Sequence, residues 1–359
     1  MSANRSVLVT GVSGNLGTRL LPYLLEFRVV GVDMRPPTES TLVRFEQMDL
    51  GREASCLQLI DLMRATNVQS VIHLAFVLDP LQTGVLDVER MWQINVSGTA
   101  RVMEAISVVN RTGGSIRKFI YPSSVAAYGP ETDGPVKEDA ALRAHTLPYA
   151  IHKRESDEVV RYRAESLGEC RIYILRPHIF TGATVQNYMV GALRGTPSGK
   201  GKRAVRMREQ GKRLPLMLPR DPKYLQKRFQ FLHVDDMARL LAFLLYRPDT
   251  DPPMTIMNVA GRGESLTVAR CAEIAQATIK RAPSKAAFRA VLRLMWRFGI
   301  SSIPPDALPY LIGSYTVDTT RLQQFLGPDY QRVIQYTVED ALKDSFNAGA
   351  TDQGSAVRG

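Results

Sequence analysis

Tyr149 and Lys153 stand four residues apart in "LPYAIHK" (147–153), among good helix formers. At that spacing two side chains share one helix face. A cation beside a phenol favours phenolate and lowers its pKa from about 10. A tyrosine so tuned passes a proton to or from a substrate oxygen near neutral pH. Upstream, "YPSSVAAYG" (121–129) follows a β run with two hydroxyls, Ser123 and Ser124. Ligands of open parallel sheets bind at the strands' carboxyl ends, where Ser124, Tyr149 and Lys153 would converge on one oxygen. Ser123 is the rival for the serine role. A Y-x-x-x-K spacing alone is common by chance, and an exposed helix with an idle Tyr and Lys is the plainer account, so the rest of the chain must decide.

The elements that would position these groups alternate. "SVLVTG" (6–11), "VVGVD" (29–33), "SVIHLA" (70–75), "KFIYPSS" (118–124) and "CRIYILRP" (170–177) read as β runs, with helical patterns between them, the first being "NLGTRLLPYLLEF" (15–27). Such alternation predicts an α/β fold, a doubly wound parallel sheet of Rossmann type with helices on both faces. The expected division is a nucleotide-binding part over 1–180, with 229–261 returning to the sheet. A smaller C-terminal α/β substrate-binding part takes 181–228 and 262–346, and 347–359 reads as a disordered tail. The late elements are "FQFLHVDDMARLLAFLLY" (229–246), a strand-like "TIMNVAG" (255–261), a helix from Ser265 and a last helix at "TVEDALKDSF" (337–346).

"TGVSGNLGTRL" (10–20) joins the first strand to the first helix, with Gly11, Gly14 and Gly17 spaced G-x-x-G-x-x-G. Glycines there allow a tight turn and let a pyrophosphate reach the helix N-terminus, where the dipole favours anions. Glycines needed only for helix–strand packing are the plainer alternative. Asp33 ends the next strand and is placed to accept from an adenosine ribose, which favours NAD. Arg35 would instead pair with a 2′-phosphate, leaving NADP open.

In family order the chain carries "TGVSGNLG" (10–17), "DL" (49–50), "HLA" (73–75), "NVSGT" (95–99), "SSVAAYG" (123–129), "YAIHK" (149–153), "LRP" (175–177) and "HVDDMA" (233–238). On these it resembles the extended short-chain dehydrogenases/reductases, the NAD-dependent epimerase/dehydratase family, and within it a UDP-glucose 4-epimerase-like bacterial subgroup. The resemblance implies Tyr149 as general acid/base, Lys153 on the nicotinamide ribose lowering the tyrosine pKa, and Ser124 orienting the substrate oxygen. It implies cofactor contacts from the glycine turn with Asn15 and Leu16, adenine flanked by Asp49 and Leu50, a cofactor path lined by Leu74 and Ala75, support from Asn95, and Pro177 near the nicotinamide. It also implies a homodimer through a four-helix contact, here 93–110 and 148–166.

Two departures bear on substrate. Nucleotide-sugar enzymes of this family carry an asparagine two residues past the "LRP" proline, and here that place is Ile179, which cannot make the hydrogen bond. His178 is a candidate polar contact, with a backbone-bonded histidine as the plainer account. Phe76 and Val77 make the wall after "HLA" bulkier and more apolar than a sugar needs.

The net charge of +11 is local. Residues 195–228 hold eleven Lys or Arg against Glu209 and Asp221, a net +9. This stretch lies where the family builds its substrate lid, and would clamp a diphosphate, carboxylate or thioester, or stand as solvated charge. "SKAAFRAVLRLMWRFG" (284–299) reads as a basic amphipathic helix, capped by Ser284 and ended by Gly299. Lys285, Arg289, Arg293 and Arg297 run along one side, with Phe288, Val291, Leu292, Met295 and Phe298 on another. With Trp296 it could rest on an anionic membrane; the expected outcome is that it packs its apolar side at home. No recognition motif supports nucleic-acid binding.

Cys56, Cys170 and Cys271 are scattered and form no metal or disulfide pattern. Met1 to Ser6 lacks the features of a signal peptide, and the expected location is cytoplasmic. The expectation is an NAD(P)-dependent enzyme transferring hydride at a secondary alcohol or ketone of a small substrate, anionic or hydrophobic. The alternatives are a UDP-hexose 4-epimerase with tightly held NAD, and a non-catalytic NAD(P)-binding regulator.

Overall fold

The computed structural model describes residues 5–38, 41–78, 87–132 and 134–347; the expected disordered tail lies outside them. Seven strands form one parallel sheet: β1 (Ser6–Thr10), β2 (Arg28–Asp33), β3 (Arg44–Gln47), β4 (Ser70–His73), β5 (Lys118–Pro122), β6 (Arg171–Pro177) and a late strand, Met254–Val259. Their order runs from that late strand through β6, β5, β4, β1 and β2 to β3, every pairing parallel. The inner strands read Val/Ile-rich because helices cover both faces and every residue of β1, β4 and β5 is buried. Chain direction across the sheet reverses between β1 and β4, the place where such sheets hold ligands.

Helix α1 (Asn15–Leu20) leaves β1 through the glycine turn. It is shorter than the 15–27 pattern suggested: Pro22 has no N–H to continue the ladder, so the chain tightens into a 3₁₀ turn over Leu21–Tyr23. The packing helices are α2 (Ser55–Ala65), α3 (Gly98–Arg111) and α4 (Pro148–Arg163). Pro148 occupies the first turn of α4, where its missing N–H costs nothing. A π turn over Gln93–Ser97 leads into α3.

Three small two-stranded sheets complete the molecule. β7 (Ile179–Thr181) pairs in parallel with Phe231–His233, and β8 (Leu216–Pro219) with Ile279–Ala282. Arg228–Phe229 pairs antiparallel with Leu266–Thr267. The basic stretch contains α5 (Lys202–Glu209) as well as β8. α6 (Val234–Tyr246) packs on α1, and α7 (Lys285–Arg297) packs on β8. Ser284 caps α7 by accepting from Ala287 N–H at 3.1 Å, and Gly299 follows at φ +60°. α8 (Leu308–Ile312) contributes to a core shared with Leu147, Ala150, Phe229, Phe231 and Phe288. Among the described residues no helix is long and apolar enough to cross a membrane.

Candidate active site and dinucleotide turn

The glycine turn is built by close approach. A Cβ on Gly11 would lie 2.5 Å from Ala75 N, and Gly11 has φ +73°. A Cβ on Gly17 would lie 2.4 Å from the carbonyl oxygen of Val12. Both glycines are thus required by packing. Gly14 differs: it is exposed, and its Cβ would meet only Gly11 O, at 3.2 Å. A cradle open at Gly14, directly before the first N–H groups of α1, fits a pyrophosphate.

Asp33 lies across this turn. Its carboxylate accepts from Ser13 N–H at 3.0 Å and from Arg35 N–H at 3.2 Å, while Ser13 Oγ donates to Arg35 O at 2.7 Å. Asn15 is turned the other way, its amide donating to Thr184 Oγ1 at 3.0 Å. Leu16 is partly buried. Asp49 is engaged: it accepts from Arg90 and from Gly51 N–H, so the carboxylate expected beside adenine is already ion-paired. Leu50 is buried, with Gly98 against it. Leu74 and Ala75 are partly buried and meet the turn where Gly11 touches them.

Ser124, Tyr149 and Lys153 converge. Ser124 follows β5 in extended backbone, its Oγ accepting from Ala126 N–H at 3.1 Å. The Ser124 hydroxyl neighbours the Tyr149 phenol and favours its ionised form. Lys153 is buried; its ammonium donates to Pro122 O at 2.7 Å and lies 3.7 Å from the Phe76 ring centroid. Phe76 meets Tyr149 edge-on at 5.8 Å. Ser123 is buried, and its hydroxyl has no partner among the described residues.

The electrostatics correct one expectation. Burial pushes the Tyr149 phenol above its ordinary value, opposed by the neighbouring Ser124 hydroxyl rather than by Lys153. Burial pulls Lys153 down to about 7, while Asp157, one turn on, pushes back. Beneath them lies an ion pair: Asp157 receives Arg176 through two hydrogen bonds of 2.9 Å, with both side chains at most 1 % exposed. Arg176 also donates to Tyr128 Oη at 2.7 Å and to Glu138 O at 2.9 Å. This network fixes α4 against β6.

Asn95, in the π turn, clasps the chain after β4: it accepts from Val77 N–H at 2.7 Å and donates to Val77 O at 3.1 Å. Pro177 is buried at the end of β6. His178 is not a free polar contact. Nδ1 accepts from Ile179 N–H at 2.9 Å, Nε2 lies 3.0 Å from Tyr315 O, and burial pulls its pKa to about 4. Ile179 lies in β7 and packs into the apolar core.

Three groups carry no motif and were missed in the sequence. Phe76 was seen only as bulk. Tyr310 donates to Ala126 O at 3.0 Å and lies edge-on to Tyr315 at 5.7 Å; burial raises both phenols, and the neighbouring Tyr149 adds to the rise. Tyr315 in turn stacks on His178 at 5.3 Å. An aromatic wall therefore stands beside the Ser/Tyr/Lys group.

Comparisons with known proteins fit this geometry. The NAD dependent epimerase/dehydratase family pattern matches residues 7–260. UDP-glucose 4-epimerase 4 of Oryza sativa subsp. japonica is 28% identical over 199 residues, 52% of this chain and 52% of that protein. The chain spans about half the length of the curated relatives it matches. The UDP-glucose 4-epimerase of Thermus thermophilus, solved in complex with NAD, superposes with a TM-score of 0.66 at 19% identity, over 96% of this chain and 99% of that one. A Bacillus cereus UDP-glucuronic acid 4-epimerase, solved with UDP-glucuronic acid and NAD, gives 0.64 at 18% identity, over 96% and 98%. At such identities the likeness establishes the shared fold.

Proposed function

The chain belongs to the NAD dependent epimerase/dehydratase family, and on that premise we propose that it is an NAD(P)-dependent oxidoreductase acting at a secondary alcohol or ketone. The convergence of Ser124, Tyr149 and Lys153 at the carboxyl end of the parallel sheet carries this reading. The open cradle at Gly14 and the Asp33 carboxylate fit a dinucleotide, and the carboxylate favours NAD.

A nicotinamide cofactor, when bound, supplies hydride chemistry. The protein's part is proton handling. Burial keeps the Tyr149 phenol protonated in this structure, ready to donate to a carbonyl oxygen. In the alcohol-oxidising direction the same Tyr149 oxygen takes the proton, which requires its pKa to fall. Ser124 donates to Tyr149 or to the substrate oxygen. Lys153 is the cation available to stabilise phenolate once its ammonium leaves the Phe76 ring.

A UDP-hexose 4-epimerase with retained NAD is the second reading, favoured by the solved epimerases of the same fold. Ile179, packed apolar in β7, and the tyrosine wall weigh toward a more hydrophobic substrate. The resemblance to the family is the ground on which we assign a homodimer contact to α3 and α4 and place the enzyme in the cytoplasm.

Thermal stabilisation by NAD, NADP, UDP, UDP-glucose, acyl-CoA and sterols separates the readings, since ligands of the native state raise the melting point. A shift with NAD but none with UDP or UDP-glucose removes the epimerase. Tyr149→Phe should keep the NAD shift and lose turnover by about 10²-fold or more. An active Phe variant would remove Tyr149 from its role, and no turnover by the wild type across the panel would favour the regulator.

A further inference from the structure

α7 packs only part of its apolar surface. Phe288 and Leu292 are buried, but Leu294 is 54% exposed, Trp296 45% and Phe298 64%. Phe298, expected on the packed side, therefore faces solvent. Lys285, Arg289, Arg293 and Arg297 line the same helix and all four are exposed, the first three bordering a groove with Ala290 and Leu308. Single exposed apolar residues are ordinary; three within the five residues 294–298, beside a row of cations, are not.

The basic stretch adjoins this end of the helix. Gly201 N–H donates to Gly299 O at 2.9 Å and Gly199 N–H to Ile300 O at 3.0 Å, so α5 begins where α7 ends. α5 brings exposed Lys202, Arg203 and Arg206, with Val205 38% exposed between them. Two segments distant in sequence thus bring exposed cations and exposed apolar side chains to the same end of the molecule.

We propose that this α5–α7 surface docks the enzyme on an anionic lipid bilayer. Arginine and lysine meet the lipid phosphates, while Trp296, Phe298 and Leu294 enter the headgroup region, where amphipathic rings are favoured. Charge complementarity selects a negatively charged surface, and the exposed rings select one that can take apolar groups. The surface shares no residue with the Ser124/Tyr149/Lys153 group, so docking stands independently of the proposed reaction.

The test is flotation of the full chain with phosphatidylcholine vesicles, with and without phosphatidylglycerol. Binding is expected only with the anionic lipid, weakening as salt rises. With Trp92→Phe present, Trp296 emission should shift to the blue on docking. Trp296→Ala/Phe298→Ala and Arg293→Glu/Arg297→Glu should each cut vesicle affinity by about tenfold or more, equal to roughly 1.4 kcal/mol, at an unchanged melting temperature. The proposal is overturned by absent vesicle binding or by binding that both double variants retain. It is also overturned if the substitutions abolish self-association or single-stranded DNA binding and leave vesicles unaffected.

Discussion

The Lys153 ammonium lies 3.7 Å from the centroid of the Phe76 ring and donates a hydrogen bond of 2.7 Å to Pro122 O. In the proposed cofactor complex, the nicotinamide ribose and the Phe76 ring compete for that ammonium. A desolvated cation–π contact is worth about 2 kcal/mol, so Phe76→Ala should bind NAD up to roughly thirtyfold more tightly. Titration calorimetry reads the change, and an unaltered Kd means the ring does not compete with the ribose.

Gly11 and Gly14 should separate under the same substitution. Gly11→Ala forces a methyl onto Ala75 N at 2.5 Å with φ +73°, and should unfold or strongly destabilise the protein. Gly14→Ala meets only one oxygen at 3.2 Å, from ordinary backbone at φ −74°. It should melt near the wild type yet bind NAD at least about tenfold more weakly, since the methyl fills the cradle. Equal affinity would place the pyrophosphate elsewhere.

Asp157→Ala should be among the costliest single changes. It strands Arg176, 1% exposed, without its carboxylate, a loss of about 3–5 kcal/mol. It also removes the group that holds Lys153 up toward the charged form. Denaturant unfolding measures the first effect. A milder Asp157→Asn, if folded, should shift the alkaline limb of the activity profile to lower pH.

Acid should destabilise the protein over a defined window. His73 and His178 are buried neutral, pulled to about 3 and about 4. In the unfolded chain a histidine takes its proton near 6.5. Between these values the unfolded state binds more protons, so stability present above about pH 6.5 is lost as pH falls toward 4. Each histidine contributes a slope of up to ~1.4 kcal/mol per pH unit. Denaturation midpoints at successive pH values should show it, and His178→Gln should flatten it; an unchanged slope assigns the protons elsewhere.

The parallel sheet was legible because its strands are buried on both faces and read as short apolar runs, bounded within a few residues of where they form. β3 was not: "RFEQ" is an edge strand, partly to fully exposed and half charged, with no pattern to mark it. The glycine turn, Ser124, Tyr149 and Lys153 were visible because fixed spacings carry them. Tyr310 and Tyr315 were invisible, since only tertiary folding brings residues after 300 beside α4. The direction of the Tyr149 shift was misjudged for the same reason. Helical spacing puts Lys153 on the right face, but Pro122 O and Phe76, from two other strands' ends, decide where its ammonium points.

Tyr310 and Tyr315 come from a stretch that supplies no member of the Ser124/Tyr149/Lys153 group, whereas α4 is anchored from below through Arg176. In the proposed enzyme, proton handling and the aromatic wall therefore come from separable tracts of polypeptide. Exchange of the 308–317 tract between relatives offers a route to new substrates that leaves the chemistry intact.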